Sequence, residues 1–189
     1  MGAASLTGRI IRRDEAVAIA TEMEGHPDNV APAIMGSLVC SFMPESGVPE
    51  CIRYEVNRKL HFVTVVPPYE VHTADARKVM PQSVPTETAV WQIGHCVAAV
   101  HALTTGDAGL LAVSCQDRLH EPYRSQLIAD YEPLRRTALA AGAAAYLISG
   151  SGSTMLAVCD GRKAAERVAC SVTNMVENRV EGLWVRILG

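Results

Sequence analysis

Aromatic residues make up only 5% of this 189-residue sequence, too few to build a stacking platform for nucleic-acid bases. Basic residues are not in excess either. With a formal charge of −3, the chain lacks the electrostatic footprint of a nucleic-acid binder. No apolar run reaches the length that crosses a bilayer. Met-Gly-Ala-Ala-Ser at the N-terminus leads into Arg9, Arg12 and Arg13 without the apolar stretch of a secretory signal, and Gly2 and Ser5 match a myristoylation site only loosely. The compartment left by default is the cytoplasm. The six cysteines, Cys40, Cys51, Cys96, Cys115, Cys159 and Cys170, include no Cys-x-x-Cys pair. Most lie in apolar runs, which predicts small buried hydrophobes rather than zinc ligands or a disulfide framework. Also missing are the Gly-Lys-Ser/Thr of a P-loop and the glycine fingerprint of a dinucleotide site.

What is present is the composition of a globular protein with a sizeable core: 49% apolar and 20% charged residues. Apolar spacing predicts a helix over 15–23 with Asp14 as its N-cap, stopped by Gly25 and Pro27, then a short helix over 29–35. A strand over 38–42 and a turn over 44–49 follow. Ile52, Tyr54 and Val56 alternate with Arg53 and Glu55, the period of a half-buried strand. Beyond a turn at Asn57, the β-branched run 62–66 reads as a strand, and 73–80 as a helix ended by Pro81. The longest helix spans 86–104, with Val90, Ile93, Val97 and Val100 as its apolar stripe. Further helices are predicted over 108–115, 123–131 and 162–177, and one carrying Pro133 in its first turn. Strands are predicted over 144–148, 155–159 and 183–188. Helices and strands without a strict βαβ alternation indicate an α+β architecture.

Three features can carry chemistry. Ser149, Gly150, Ser151, Gly152, Ser153 and Thr154 form a Gly/Ser loop between two predicted strands. Its glycines let backbone N–H groups approach an anion, although the same composition also makes a plain hairpin loop. Glu24, His26, Asp28 and Asn29 crowd into a turn with Gly25 and Pro27. Such a turn aims several polar groups at one point, and its carboxylates suit Mg²⁺; it also reads as a helix–helix turn capped by Asp28 or Asn29, with His26 solvated. Arg77 and Arg124 present guanidinium forks that suit a small carboxylate, or ordinary surface ion pairs. Trp91 and Trp184 are expected to be packing aromatics.

The phrases Glu-Gly-His-Pro-Asp-Asn-Val-Ala-Pro at 24–32 and Leu-His-Glu-Pro-Tyr-Arg at 119–124, with 73–81 and 149–154, stand in the order and spacing found in homoserine kinases of the GHMP superfamily. The chain resembles that family over nearly its whole length. The resemblance implies transfer of the γ-phosphoryl of ATP to the side-chain hydroxyl of L-homoserine, giving O-phospho-L-homoserine in threonine biosynthesis. It further implies Glu24 as a Mg²⁺ ligand and His26, Asp28 and Asn29 lining the amino-acid pocket, with Asp28 and Asn29 the catalytic candidates. Arg77 and Arg124 would clamp the substrate carboxylate. Ser149, Gly150, Ser151, Gly152, Ser153 and Thr154 would abut the nucleotide phosphates.

Two departures accompany the resemblance. The family's main phosphate loop, of the form Pro-x-x-x-Gly-Leu-Gly-Ser-Ser, does not occur in the sequence, and in the family it would precede Met1. Ser153 stands where the third motif usually has proline, and Ser37 replaces one glycine of a common Gly-Gly pair. The expectation is therefore a partial ribosomal-S5-like N-terminal remnant over 1–57, its strand edges covered by self-association into a homo-oligomer. A ferredoxin-like GHMP kinase C-terminal domain would occupy 58–189. A catalytically inactive amino-acid-binding module, or another small-molecule kinase of the superfamily, is the competing expectation.

Overall fold

The computed structural model describes residues 10–176 and 182–188. Gly2, Ser5 and the predicted helix end at Glu177 lie outside the described residues. The chain divides into two units, Met1–Val56 and Asn57–Gly189.

In the first unit, helix α1 (Arg13–Glu24) ends at Gly25, whose φ of +89° lets its N–H return to the Thr21 carbonyl at 2.7 Å. Asp14 does not cap this helix. It lies inside the first turn and pairs with the Arg12 guanidinium, which holds its carboxyl down at about 2. Helix α2 (Val30–Met35) follows, and Val17, Thr21 and Ala31 are buried on the two helices. Strands β1 (Leu38–Phe42) and β2 (Glu50–Tyr54) pair antiparallel, with Leu38 opposite Tyr54 and Phe42 opposite Glu50. The second strand stops before Val56, whose N–H instead meets Ser37 Oγ at 3.1 Å. Ser37 itself has φ +62°, a conformation that favours glycine and accounts for a glycine pair being usual there. Ile52 is exposed, because a two-stranded ribbon covers only part of what the alternation prepares for burial.

The second unit is a four-stranded antiparallel sheet in the order β4-β5-β3-β6, built from β3 (Leu60–Val66), β4 (Ala143–Ile148), β5 (Met155–Asp160) and β6 (Trp184–Leu188). In chain order these strands, with α8 (Arg162–Val176) between the last two and the other helices after β3, make a split βαβ pair, the ferredoxin-like arrangement. The helices after β3 are α3 (Thr73–Lys78), α4 (Thr86–Thr105), α5 (Ala108–Ser114), α6 (Glu121–Arg124) and α7 (Tyr131–Ala140). Ala165, Val168 and Val172 lie on one stripe of α8 and are 0% exposed, as are Val63 and Val65 of β3 beneath them. Removing each such valine from water contributes roughly 1.5–3 kcal/mol. Leu134 and Ala138 of α7 close the same core. Asp107 caps α5 by accepting the Leu110 N–H at 2.9 Å.

Three sequence expectations fail here for related reasons. The α4 stripe is not buried: Val90, Ile93 and Val97 are 65%, 65% and 67% exposed, and Ala102 is the buried position of that helix. Cys40, Cys96 and Cys170 are exposed, whereas Cys159 alone among the six is fully enclosed. Trp184 is half exposed on its strand. Spacing defines a face, but only the tertiary partner decides whether that face is covered. The predicted helix over 123–131 is broken into α6, a 3₁₀ turn at Ser125–Leu127 and a left-handed Asp130 with φ +59° that opens α7.

Candidate functional site

The polar turn after α1 forms as a small cluster. His26 is half-buried, and its Nδ1 meets Asp28 Oδ1, which also accepts the Asn29 N–H at 3.1 Å. Pro27 is buried, and its carbonyl takes the Ala31 N–H at 2.9 Å, so the proline anchors the turn while its neighbours face outward. Neither Asp28 nor Asn29 caps α2 with its side chain, and His26 is paired rather than simply solvated. Glu24 is exposed at the end of α1. Among the described residues no group of three or more His, Cys, Asp or Glu side chains is arranged to hold a metal. Mg²⁺ needs no such cage when one or two carboxylates, water and substrate phosphates complete its shell, so a lone exposed carboxylate such as Glu24 fits that mode only.

In the second unit Arg124 and the 149–154 loop meet at α6. Asp117 accepts the backbone N–H of Leu119 at 2.6 Å, of His120 at 2.9 Å and of Glu121 at 3.2 Å, and its Oδ2 is 3.2 Å from His120 Nδ1. Burial alone would raise this carboxyl. The His120 side chain and the His120 and Leu119 amides outweigh it and hold the group at about 2. With its entrance fixed and Pro122 in the first turn, α6 presents Arg124, whose Nη1 donates to the Gly150 carbonyl at 2.8 Å. Arg124 Nε is buried without a hydrogen-bond partner among the described residues.

The 149–154 loop closes on itself. Ser149 donates to the Thr154 carbonyl at 2.9 Å, and Gly152 donates to the Ser149 carbonyl at 3.0 Å. Gly152 is favoured by its φ of +86°, and a Cβ there would also push on the Ile128 methyl, 2.9 Å away. Ser153, at the proline-preferring position, is buried and donates through Oγ to the Tyr69 carbonyl, a tie that proline would not make. A cleft of about 490 Å³ opens beside the loop, lined by Pro68, Tyr69, Glu70, Gly152, Ser153 and Thr154. Arg77 lies exposed in the last turn of α3.

Sequence reasoning missed Glu121, Tyr131 and the part played by Asp117. Glu121 accepts the Tyr131 hydroxyl, and the two residues line a second cleft of about 330 Å³ with Asp117 and Arg135. Desolvation, partly offset by the Tyr131 bond, pushes the Glu121 carboxyl above its ordinary value. Burial and the adjacent Glu121 push Tyr131 strongly upward. The Glu121–Tyr131 pairing joins elements separated by a broken helix and left no local trace.

A raised folded-state pKa for Glu121 means that its charge opposes folding. The penalty is absent below the unfolded-state value and complete above the raised folded one. Glu121→Gln, which keeps an acceptor for Tyr131, is therefore expected to raise the melting temperature at pH 7 and to lose that advantage near pH 4. A thermal melt series across this range checks it; an advantage that grows toward acid would contradict the assignment. Asp117 acts with the opposite sign, since its depressed pKa makes it stabilising above the ordinary carboxylate range and lost as pH falls through about 2.

Residues 99–178 match the model of the GHMP kinases C-terminal family. A homoserine kinase of Caldicellulosiruptor bescii is 36% identical over 155 residues, covering 82% of this chain and 50% of the relative. One of Clostridium beijerinckii is 31% identical over 189 residues, all of this chain and 62% of the relative. The crystal structure of homoserine kinase from Cytophaga hutchinsonii superposes with a TM-score of 0.85 at 28% identity, over 98% of this chain and 59% of that one. Leishmania major mevalonate kinase, at 18% identity and a TM-score of 0.68, shares the fold. The chain spans about half the length of the first curated relatives it matches.

Proposed function

We propose, on the premise that this chain is a homologue of homoserine kinases with a GHMP kinase C-terminal domain, that it acts in ATP-dependent phosphorylation of L-homoserine to O-phospho-L-homoserine. The place of that reaction is threonine biosynthesis in the cytoplasm. No helix among the described residues is long and apolar enough to cross a membrane. The observation that carries the reading is the alignment with homoserine kinases over most of the chain, including the 24–32 and 119–124 segments.

Phosphoryl transfer needs positioning and charge neutralisation more than covalent help from the protein. In the first unit, Asp28 and Asn29 orient the amino acid and its hydroxyl, and His26 steadies Asp28 through the ring contact. Glu24 would hold Mg²⁺ through one carboxylate, and the ion, when bound, would supply neutralisation of the phosphate charge. In the second unit, Arg124 and Arg77 bind carboxylate, where a planar guanidinium gives directed, charge-assisted bonds. The 149–154 loop lies against phosphate, with the N–H groups of Ser149 and Gly152 spent inside the loop, the Ser151 hydroxyl on the Gly152 carbonyl at 3.4 Å and the Thr154 hydroxyl as a further donor.

The test is ADP release by the purified chain with ATP and L-homoserine, beside calorimetric titration with homoserine and with a sugar of similar size. Homoserine is expected to bind and to be phosphorylated, and the sugar to do neither. Homoserine binding without turnover supports the amino-acid-binding module instead. No homoserine binding overturns both readings.

A further inference from the structure

The α6 turn is tied to α7 at its start and to the 149–154 loop at its end. At its start, the Glu121 carboxylate accepts the Tyr131 hydroxyl of α7. At its end, Arg124 Nη1 holds the Gly150 carbonyl. Behind both stands Asp117, which gathers three consecutive backbone donors from Leu119 to Glu121. A helix of four residues has almost no stability of its own, because nucleation consumes the entropy that a longer helix recovers by propagation. The direction of Arg124 is therefore set by these side-chain bonds.

The loop that Arg124 reaches needs such support. Gly150 and Gly152 have φ of +60° and +86°, and two internal backbone bonds are what the loop contributes for itself. A charged donor on the Gly150 carbonyl is stronger than either neutral bond.

We propose that Asp117 and Glu121 are positioning residues that set Arg124 as a strut, through which the 119–124 segment holds the 149–154 loop in its closed form. The proposal rests on the functional reading above only for the nature of the anions, an amino-acid carboxylate on Arg124 and a nucleotide phosphate at the loop. Arg124 holds the Gly150 carbonyl in the same orientation that offers its fork to a carboxylate, so an anion that favours this orientation also favours the closed loop, and the two anions bind with positive, reciprocal coupling.

Amide hydrogen exchange on the full chain, first without ligand, tests the strut. Asp117→Ala is expected to speed exchange at the Ser149 and Gly152 amides about tenfold or more, with the Val63 and Ala157 amides of the sheet unchanged. Asp117→Asn, which keeps an acceptor oxygen for the backbone donors, is expected to restore most of the protection. Should Asp117→Ala expose the whole sheet to exchange, Asp117→Asn and Arg124→Gln carry the test at the same two amides. Faster exchange confined to Leu119, His120 and Glu121 would overturn the proposal, because Asp117 would then cap only its own turn. Added homoserine is expected to slow exchange at Ser149 and Gly152 in the wild-type chain and not in Arg124→Gln. If homoserine gives no heat on titration, the acceptor assignment falls, while the ligand-free exchange still decides the strut.

Discussion

Arg124→Ala is expected to weaken homoserine binding by about 30- to 1,000-fold, corresponding to a loss of roughly 2–4 kcal/mol when one partner of a directed charge pair is truncated. The size of the effect follows from where the guanidinium sits. Its Nε is buried without a partner, and its Nη1 holds the Gly150 carbonyl, so the group is fixed in orientation before any ligand arrives. Fixing a long side chain in advance removes much of the entropy that binding would otherwise cost. Arg124→Lys should recover only part of the affinity, because one ammonium does not reproduce a planar fork that serves a carbonyl and a carboxylate together. Calorimetric titration of the three chains with homoserine decides the matter. Equal affinities in all three would remove Arg124 from the acceptor site.

Leu134→Ala should be the most damaging of the truncations in the second unit, costing about 2–5 kcal/mol and lowering the melting temperature by on the order of 10 °C. Leu134 is 1% exposed on α7, and the helix carries Tyr131 one turn earlier. The cavity would open inside the cluster that includes Val63, Val168 and Val172, between the sheet and its helices, where close-packed neighbours cannot collapse to fill it. The loss should spread to the site, since Tyr131 supports Glu121 and hence the start of α6. Val97→Ala is the matched control: it removes methyl groups from a position 67% exposed and is expected to change stability by less than about 0.5 kcal/mol. A loss at Val97 as large as that at Leu134 would mean that the α4 stripe is covered in solution.

Much of the second unit was legible residue by residue. The β-branched run 62–66 and the 3.6-residue spacing of Ala165, Val168 and Val172 define elements that the structure forms, the strand starting two residues earlier at Leu60. Gly25 and Gly106, both left-handed, stop their helices where the sequence placed breaks. In the candidate site, the cluster of His26, Asp28 and Asn29 was visible because a turn brings sequence neighbours together. The Arg124–Gly150 bond was not visible, because it spans 26 residues and neither residue carries a local sign of the other. The same holds for Ser153 and the Tyr69 carbonyl, 84 residues apart.

By itself, then, the sequence determined most of the strands and helices, the glycines that end them, and which polar residues share a turn, since these follow from local sterics and period, while the 123–131 segment broke where tertiary contacts decide. Only the tertiary structure decided which apolar faces are covered, leaving Val90, Ile93 and Val97 bare while enclosing Leu134. It also decided that the Glu121 carboxyl is raised while Asp117, four residues away, is depressed. Burial and hydrogen bonding are properties of neighbours in space, and those two carboxylates differ in the donors that the fold sets around them.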